Sequence, residues 1–388
     1  MRPSVTTMTP FSIHIPQPDL DDLRERLART RWTPQLPGDG WERGVPADWV
    51  RDVAEYWRTG YDWRAREARL NAFPQFVEEI DGLGLHYLHV RSPEPDALPL
   101  LLAHGWPNSF VEFVRTIPLL TDPRAHGADP AQAFHVVVPS APGFGFSAAP
   151  RTTGFGIGSV AVMYGQLMER LGYDRYGTQG GDLGAYVAPE LARRQPDRVV
   201  GVHIDGGFGF PTEDDVPGMT QAERAEWDMM QQWMAGGVDH HALLRVAPQT
   251  FGYGWHDSPV ALLAWHAHKF HEFSMSDQPL FDVIDRDLFL DNVSVYWFTK
   301  TAATSSWPMY EGLAGADGGG ARFEWPEGQK AVPSGVYGGG SPLMRRLAEE
   351  DNTIVHWPEG NPGRHHFVAM EEPAGHVADI RAFFAQVR

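Results

Sequence analysis

The chain of 388 residues contains no cysteine. Disulfides, thiolate nucleophiles and cysteine metal sites are therefore excluded, while the redox compartment is left open. Long apolar runs are missing too: no stretch reaches the roughly 20 residues that a membrane-spanning helix needs. Met1 to Pro18 lack the charged start and apolar centre of a secretory signal. By default, then, the sequence reads as cytoplasmic, with no membrane partner. Positive charge is scarce, at 32 Lys and Arg against 50 Asp and Glu, for a formal net charge of -18. Nucleic acids and anionic lipid surfaces select basic proteins, so both are excluded as partners. What the chain has in quantity is apolar surface, 42% hydrophobic and 12% aromatic with 14 Trp. That describes a globular protein, long enough for one large core and a subdomain.

The first block, residues 1–72, reads as a helical extension. Leu20, Leu23 and Leu27 share one helical face, and Trp49, Val53 and Trp57 repeat the spacing. From Phe73 the period changes to that of strands. Gln75 to Ile80 and Leu85 to Val90 flank an Asp81-Gly82 turn. Strand and helix then alternate to residue 210. Phe134 to Pro139 is a β-branched run suited to burial on both faces, Ile157 to Leu171 is amphipathic, and Arg175 to Gly181 is a strand leading into a helix from Leu183 to Arg194. Arg198 to Asp205 is a further strand. This order implies an α/β fold with a mostly parallel, doubly wound sheet. Residues 211–310 break the alternation with helices rich in Trp, Phe and His, opened by a Thr220-x-x-Glu223 capping box, and read as a lid. Residues 311–388 pass a glycine-rich loop, Gly312 to Gly320, and return to the core with strands near Ala331 to Tyr337 and Thr353 to Trp357. A last helix spans Gly375 to Val387.

Chemistry concentrates in three places. Gly180-Gly181-Asp182-Leu183-Gly184 joins a strand to a helix, and small residues on both sides allow a strained turn to present the middle side chain. A carboxylate there is a competent nucleophile at saturated carbon, giving an ester; the plainer reading is that Asp182 caps the following helix. His104-Gly105-Trp106-Pro107 ends an earlier strand, where the Trp106 N–H, with that of Leu183, forms an oxyanion hole. A late histidine, His366 or its neighbour His365, stands where a hydrolase of this fold carries its base. Pro142 to Ser147 reads as pocket wall. No metal site is expected: His266, His268 and His271 cluster, but no H-E-x-x-H occurs. Neither Gly154 to Gly158 nor Gly206 to Gly209 completes a dinucleotide-binding G-x-G-x-x-G.

Together these motifs resemble the microsomal-type epoxide hydrolases and their soluble bacterial relatives over essentially the full chain. The family's histidine directly precedes Phe, as in His366-Phe367-x-x-x-Glu371-Glu372-Pro373, which selects His366 over His365. The resemblance implies an α/β-hydrolase fold and hydrolysis of a small-molecule epoxide to a vicinal diol through an ester on Asp182. It implies no cofactor, and it is compatible with a homodimer. It also makes Tyr310 similar to one of two lid tyrosines that protonate the epoxide oxygen. The second tyrosine is replaced, by alignment ahead of Pro248-Gln249-Thr250, with His240. Leu183 stands where relatives often have Trp. The loop that carries the family's charge-relay acid reads Gly338-Gly339-Gly340-Ser341-Pro342, without a carboxylate. The expectation is that the acid has moved to Asp205, on the Nδ1 side of His366, with Glu349, Glu350 and Asp351 as weaker rivals. The plainer reading of Asp205 is that it caps the Gly206-Gly207 turn.

Two other functions compete. A haloalkane dehalogenase would share the nucleophile and base but needs a halide donor beside the nucleophile, which Leu183 cannot be. A non-catalytic binding protein on the same scaffold would explain the missing acid. The lid aromatics Trp227, Trp233, Phe251, Trp255, Trp265 and Phe270 point to a bulky apolar substrate, an aromatic or secondary-metabolite epoxide.

Overall fold

The computed structural model describes residues 8–38, 40–206, 208–237, 240–274, 276–311, 327–358 and 366–388. The Gly312 to Gly320 loop and His365 lie outside them. Nine strands form one sheet: β1 (Thr9–Phe11), β2 (Gln75–Ile80), β3 (Leu83–Val90), β4 (Leu98–Ala103), β5 (Phe134–Pro139), β6 (Tyr176–Gly181), β7 (Val199–Asp205), β8 (Ser334–Tyr337) and β9 (Ile354–His356). Their spatial order is β1-β2-β3-β5-β4-β6-β7-β8-β9. Strands β4 to β9 run parallel, and β1 to β3 form an antiparallel edge.

Sequence pattern explains the centre. All six residues of β5 are buried, as both-face packing requires of a near-continuous apolar run. The helices Ile157–Arg170 and Leu183–Arg194 pack on each other, and the second lies against β6 and β7. The C-terminal helix Pro373–Val387 seats Phe383 and Phe384 over glycines of β6, β7 and β8, where a Cβ would meet their rings. Between β7 and β8, residues 211–310 are mainly helical, and the capping box is made: Thr220 N–H donates to Glu223 at 2.7 Å and Glu223 N–H to Thr220 Oγ1 at 3.3 Å.

The N-terminal block departs from an all-helical extension. Thr9, Pro10 and Phe11 add β1 to the sheet edge beside β2, a three-residue strand too short to carry a readable alternation. Its helices Gln17–Ala28, Ala47–Thr59 and Trp63–Leu70 bury Leu20, Leu23, Leu27, Val53 and Trp57 as expected. They are tied to the helix Arg286–Thr299: Trp57 Nε1 donates to Ser294 at 3.0 Å, while Tyr61 Oη and Arg66 Nε each donate to Asp291 Oδ1 at 2.7 Å. No helix among the described residues is long and apolar enough to cross a membrane.

Candidate active site

Asp182 occupies the turn between β6 and the helix Leu183–Arg194 with φ at 52° and ψ at -119°, a conformation most residues avoid. The flanking glycines are what permit it. A Cβ on Gly180 would lie 2.6 Å from the Gly184 carbonyl, and Cβ atoms on Gly184 or Gly105 would strike the Ala103 carbonyl or Asp182 itself. So close an approach brings the end of β4 against Asp182. Asp182 Oδ1 accepts from Trp106 N–H at 2.9 Å and from Leu183 N–H at 2.6 Å, and Oδ2 faces His366 Nε2 at 3.5 Å. Burial pushes the Asp182 carboxyl upward, but His366 and the two N–H groups outweigh it and hold the group below its usual value.

His104 braces this turn. With Nδ1 donating to the Gly105 carbonyl at 3.1 Å, its Nε2 accepts from Ala141 N–H at 3.1 Å, and burial lowers its pKa to about 4. The ring is thus a neutral strut between the ends of β4 and β5. Phe144, edge-on to that ring at 4.9 Å, is the residue that the Pro142 to Ser147 stretch contributes to the cavity lining.

The cavity beside Asp182 is small, about 20 Å³, and includes Trp106, Leu183, His240, His241, Met309 and Tyr310 in its lining. Beyond Met309 lies a larger cleft of about 540 Å³ lined by Phe155, Ile157, Met163 and Arg194. Aromatic rings lead outward from the nucleophile: Trp265 lies 5.9 Å from Trp106, Trp255 stacks on Trp265 at 5.2 Å, and Phe251 on Trp255 at 5.7 Å. Phe270 instead stacks on Phe367 at 4.1 Å as part of the core.

Of the two remaining predicted residues, His240, expected in place of the second lid tyrosine, lines the same cavity as Tyr310. Its ring lies flat against Trp106, at 5.3 Å and 8°, and its neighbour His241 takes the Tyr310 hydroxyl at 2.5 Å through Nδ1. The two residues open the helix His240–Val246, and successive helical side chains point about 100° apart, so one faces Trp106 and the next Tyr310. Burial, followed by the charges of His241 and Lys269, drives the His240 pKa to about 2. Asp205, the second case, does not pair with His366. Its Oδ2 accepts from Gln179 Nε2 at 2.6 Å and lies 3.0 Å from His376 Nε2, because His376 enters from the first turn of the C-terminal helix. The rivals Glu349 and Glu350 form exposed pairs with Arg345 and Arg346, both at 2.9 Å.

Gln179, His241 and His376 were not singled out from sequence, nor was Glu112. Glu112 lies buried after the His104 turn; burial, then the charge of Asp205, holds its carboxyl well above the usual range. The alternation Val202-His203-Ile204-Asp205 in an otherwise buried strand was the available signal for a polar cluster on one face of β7.

This geometry has counterparts. Residues 8–113 match the family described as epoxide hydrolase N terminus, and residues 99–298 match the α/β-hydrolase fold. A relative from Stigmatella aurantiaca, itself named only provisionally as an epoxide hydrolase, is 40% identical over 382 residues, covering 98% of this chain and 86% of its own. Epoxide hydrolase 1 of Sus scrofa is 30% identical, covering 97% and 88%. Among solved structures, an enantioselective variant of the Aspergillus niger epoxide hydrolase superposes with a TM-score of 0.80 at 31% identity, covering 100% of this chain and 98% of the other. An α/β-hydrolase sheet, an aspartate elbow facing a histidine, and these likenesses over nearly the whole length agree: the chain belongs to the epoxide hydrolase family and is a hydrolytic enzyme.

Proposed function

We propose that the chain opens an epoxide through a covalent ester on Asp182 and releases a vicinal diol. The observation that carries this reading is the division of labour between the two Asp182 oxygens. Oδ1 is held by the Trp106 and Leu183 N–H groups, leaving Oδ2 on the side of His366. Oδ2 attacks one epoxide carbon, the C–O bond breaks, and the alkoxide takes the Tyr310 hydroxyl proton. A phenol suits this step because its pKa of about 10 keeps the proton available at neutral pH. His366 then removes a proton from water, and the resulting hydroxide adds to the ester carbonyl carbon. Negative charge develops on Oδ1, already seated between two N–H donors, which is where stabilisation of the tetrahedral intermediate is worth most. Collapse expels the second diol oxygen, which takes its proton from His366. The proton left on the regenerated carboxyl restores the one Tyr310 gave.

His366→Ala should stop the second half and spare the first. Mixed with styrene oxide, the variant is expected to gain one substrate mass on the peptide containing Asp182. Wild-type turnover without any adduct in the variant, together with full oxygen-18 labelling of the first diol in a single turnover, would mean that water attacks the epoxide directly.

The dehalogenase reading is weakened by Leu183, and a purely binding role by the pairing of Asp182 with His366. The aromatic rings running out from Trp106 support a bulky apolar epoxide. Aryl epoxides are expected to show higher kcat/KM than short aliphatic ones, and the reverse order would rule this out.

A further inference from the structure

His203, Asp205 and His376 meet beneath the C-terminal helix, behind the nucleophile turn. His203 and Asp205 are two residues apart on β7 and so share a face, which the helix covers with His376 and Asp379, one turn apart. The cluster is buried: the His203, Asp205 and His376 side chains are 0%, 6% and 0% exposed. Asp379 joins two imidazoles, His203 Nε2 at 2.8 Å and His356 Nε2 at 2.7 Å. The other nitrogen of His203, Nδ1, stands 3.9 Å from Asp205 Oδ1, and neither atom has a hydrogen-bond partner. One ligand atom from each of His203, Asp205 and His376 lies within 4.8 Å of the others.

Charge and geometry both ask for a cation here. Two carboxylates are buried among three imidazoles, and an uncompensated buried charge costs several kcal/mol. Either two imidazoles carry protons or one divalent ion supplies the same charge. Protonated His203 would draw Nδ1–H to Asp205 Oδ1, closing the pair to a hydrogen-bond distance of about 2.9 Å. The gap of 3.9 Å is too wide for that bond. Since ligands about 2.0–2.2 Å from a tetrahedral ion lie about 3.3–3.6 Å apart, an ion would draw the two atoms together by a few tenths of an ångström. Asp379 also fixes the proton on His203 Nε2, which turns the Nδ1 lone pair toward Asp205. This is the carboxylate–histidine–metal arrangement by which outer residues orient a ligand.

We propose that His203, Asp205 and His376 bind a divalent transition metal of the zinc class, oriented by Asp379. Two imidazoles and one carboxylate form a donor set that zinc takes readily, with water completing four-coordination. The ion would clamp the C-terminal helix to β7 and take no part in opening the epoxide.

The test uses tag-free, full-length protein stripped with a chelator, given zinc chloride and gel-filtered. One zinc per chain by elemental analysis and a raised Tm are expected. Asp379→Asn should weaken zinc binding about 10- to 100-fold, and His203→Gln should lose the bound equivalent. Cobalt(II) in the wild type should give the intense visible bands of a tetrahedral site. That spectrum, with Asp379→Asn, decides the matter should His203→Gln fail to fold. Three results would overturn the proposal: no retained zinc and an unmoved Tm, meaning that protons or water alone fill the cluster; zinc kept equally by His203→Gln and Asp205→Asn; or a weak octahedral cobalt spectrum. None of these results bears on the epoxide chemistry.

Discussion

On the proposed mechanism, Tyr310 and His241 form the pair on which epoxide opening turns. Their 2.5 Å contact fixes the phenol at the cavity wall, where Tyr310 would donate its proton to an oxygen released beside Asp182. Tyr310→Phe keeps the shape and removes the proton, so single-turnover alkylation should slow by about 10²- to 10⁴-fold. Hydrolysis of ester already formed should hardly change; equal alkylation rates in variant and wild type would exclude the role. The pH dependence of alkylation has a definite sign. Asp182 must be ionised to attack, and His366 with the two N–H donors holds its pKa below the ordinary carboxylate value. The acid limb should therefore lie below pH 3.8 and not above it. Asp182, Trp106, Leu183 and His366 were legible because each sits at a turn whose neighbours are forced: glycines around the elbow, and Phe after the base. His240 against His241 was not, since a one-residue choice on a short helix depends on where the helix starts. Asp205 misled for a related reason. Strand position put it next to the nucleophile, but its partner came from a helix far along the chain.

At the scale of elements, legibility followed burial and period. Phe134–Pro139 and Leu183–Arg194 coincide with their expected limits because the first is apolar but for His135 and the second is bounded by the Asp182 turn. β6, β7, β8 and β9 each begin one to three residues later than expected; for β6, β7 and β9 the residue left outside is polar, Arg175, Arg198 and Thr353. β1 was invisible, with three residues and no alternation of its own. Nor could spacing reveal how the N-terminal helices attach. Asp291 lies more than 200 residues from Tyr61 and Arg66 in sequence, yet the three form one buried ion-pair and hydrogen-bond group. Removing one member of such a pair strands the other charge, so this group ties the N-terminal block to the helix Arg286–Thr299.

Across the whole molecule, the chain buries neutral imidazoles that the unfolded chain would protonate. His86, His89, His104 and His266 are all under a tenth exposed. Burial is the leading cause in each case, lowering the pKa to about 3 for His86 and about 4 for His89, His104 and His266. With folded values below the unfolded 6.5, the unfolded state binds more protons between pH 6.5 and about 4. Stability is therefore full above 6.5 and is lost as pH falls through that window. Each histidine contributes at most about 1.4 kcal/mol per pH unit, so the four set an upper limit of about 5 kcal/mol per pH unit near pH 5. The depressed carboxyls of Asp182 and Asp379 act in the same direction but further down, below pH 3.8. Tm is expected to drop steeply from pH 6.5 to pH 4.5, well above the range where carboxylates alone would unfold the protein. His89→Gln can still hydrogen-bond the Tyr173 hydroxyl that His89 Nε2 meets at 2.7 Å, while removing one titrating group. Its stability curve should be shallower by about 1 kcal/mol per pH unit. Denaturant melts at several pH values decide: a stability flat from pH 6.5 to 4.5, or a slope unchanged in His89→Gln, would mean that these imidazoles do not govern the acid limit.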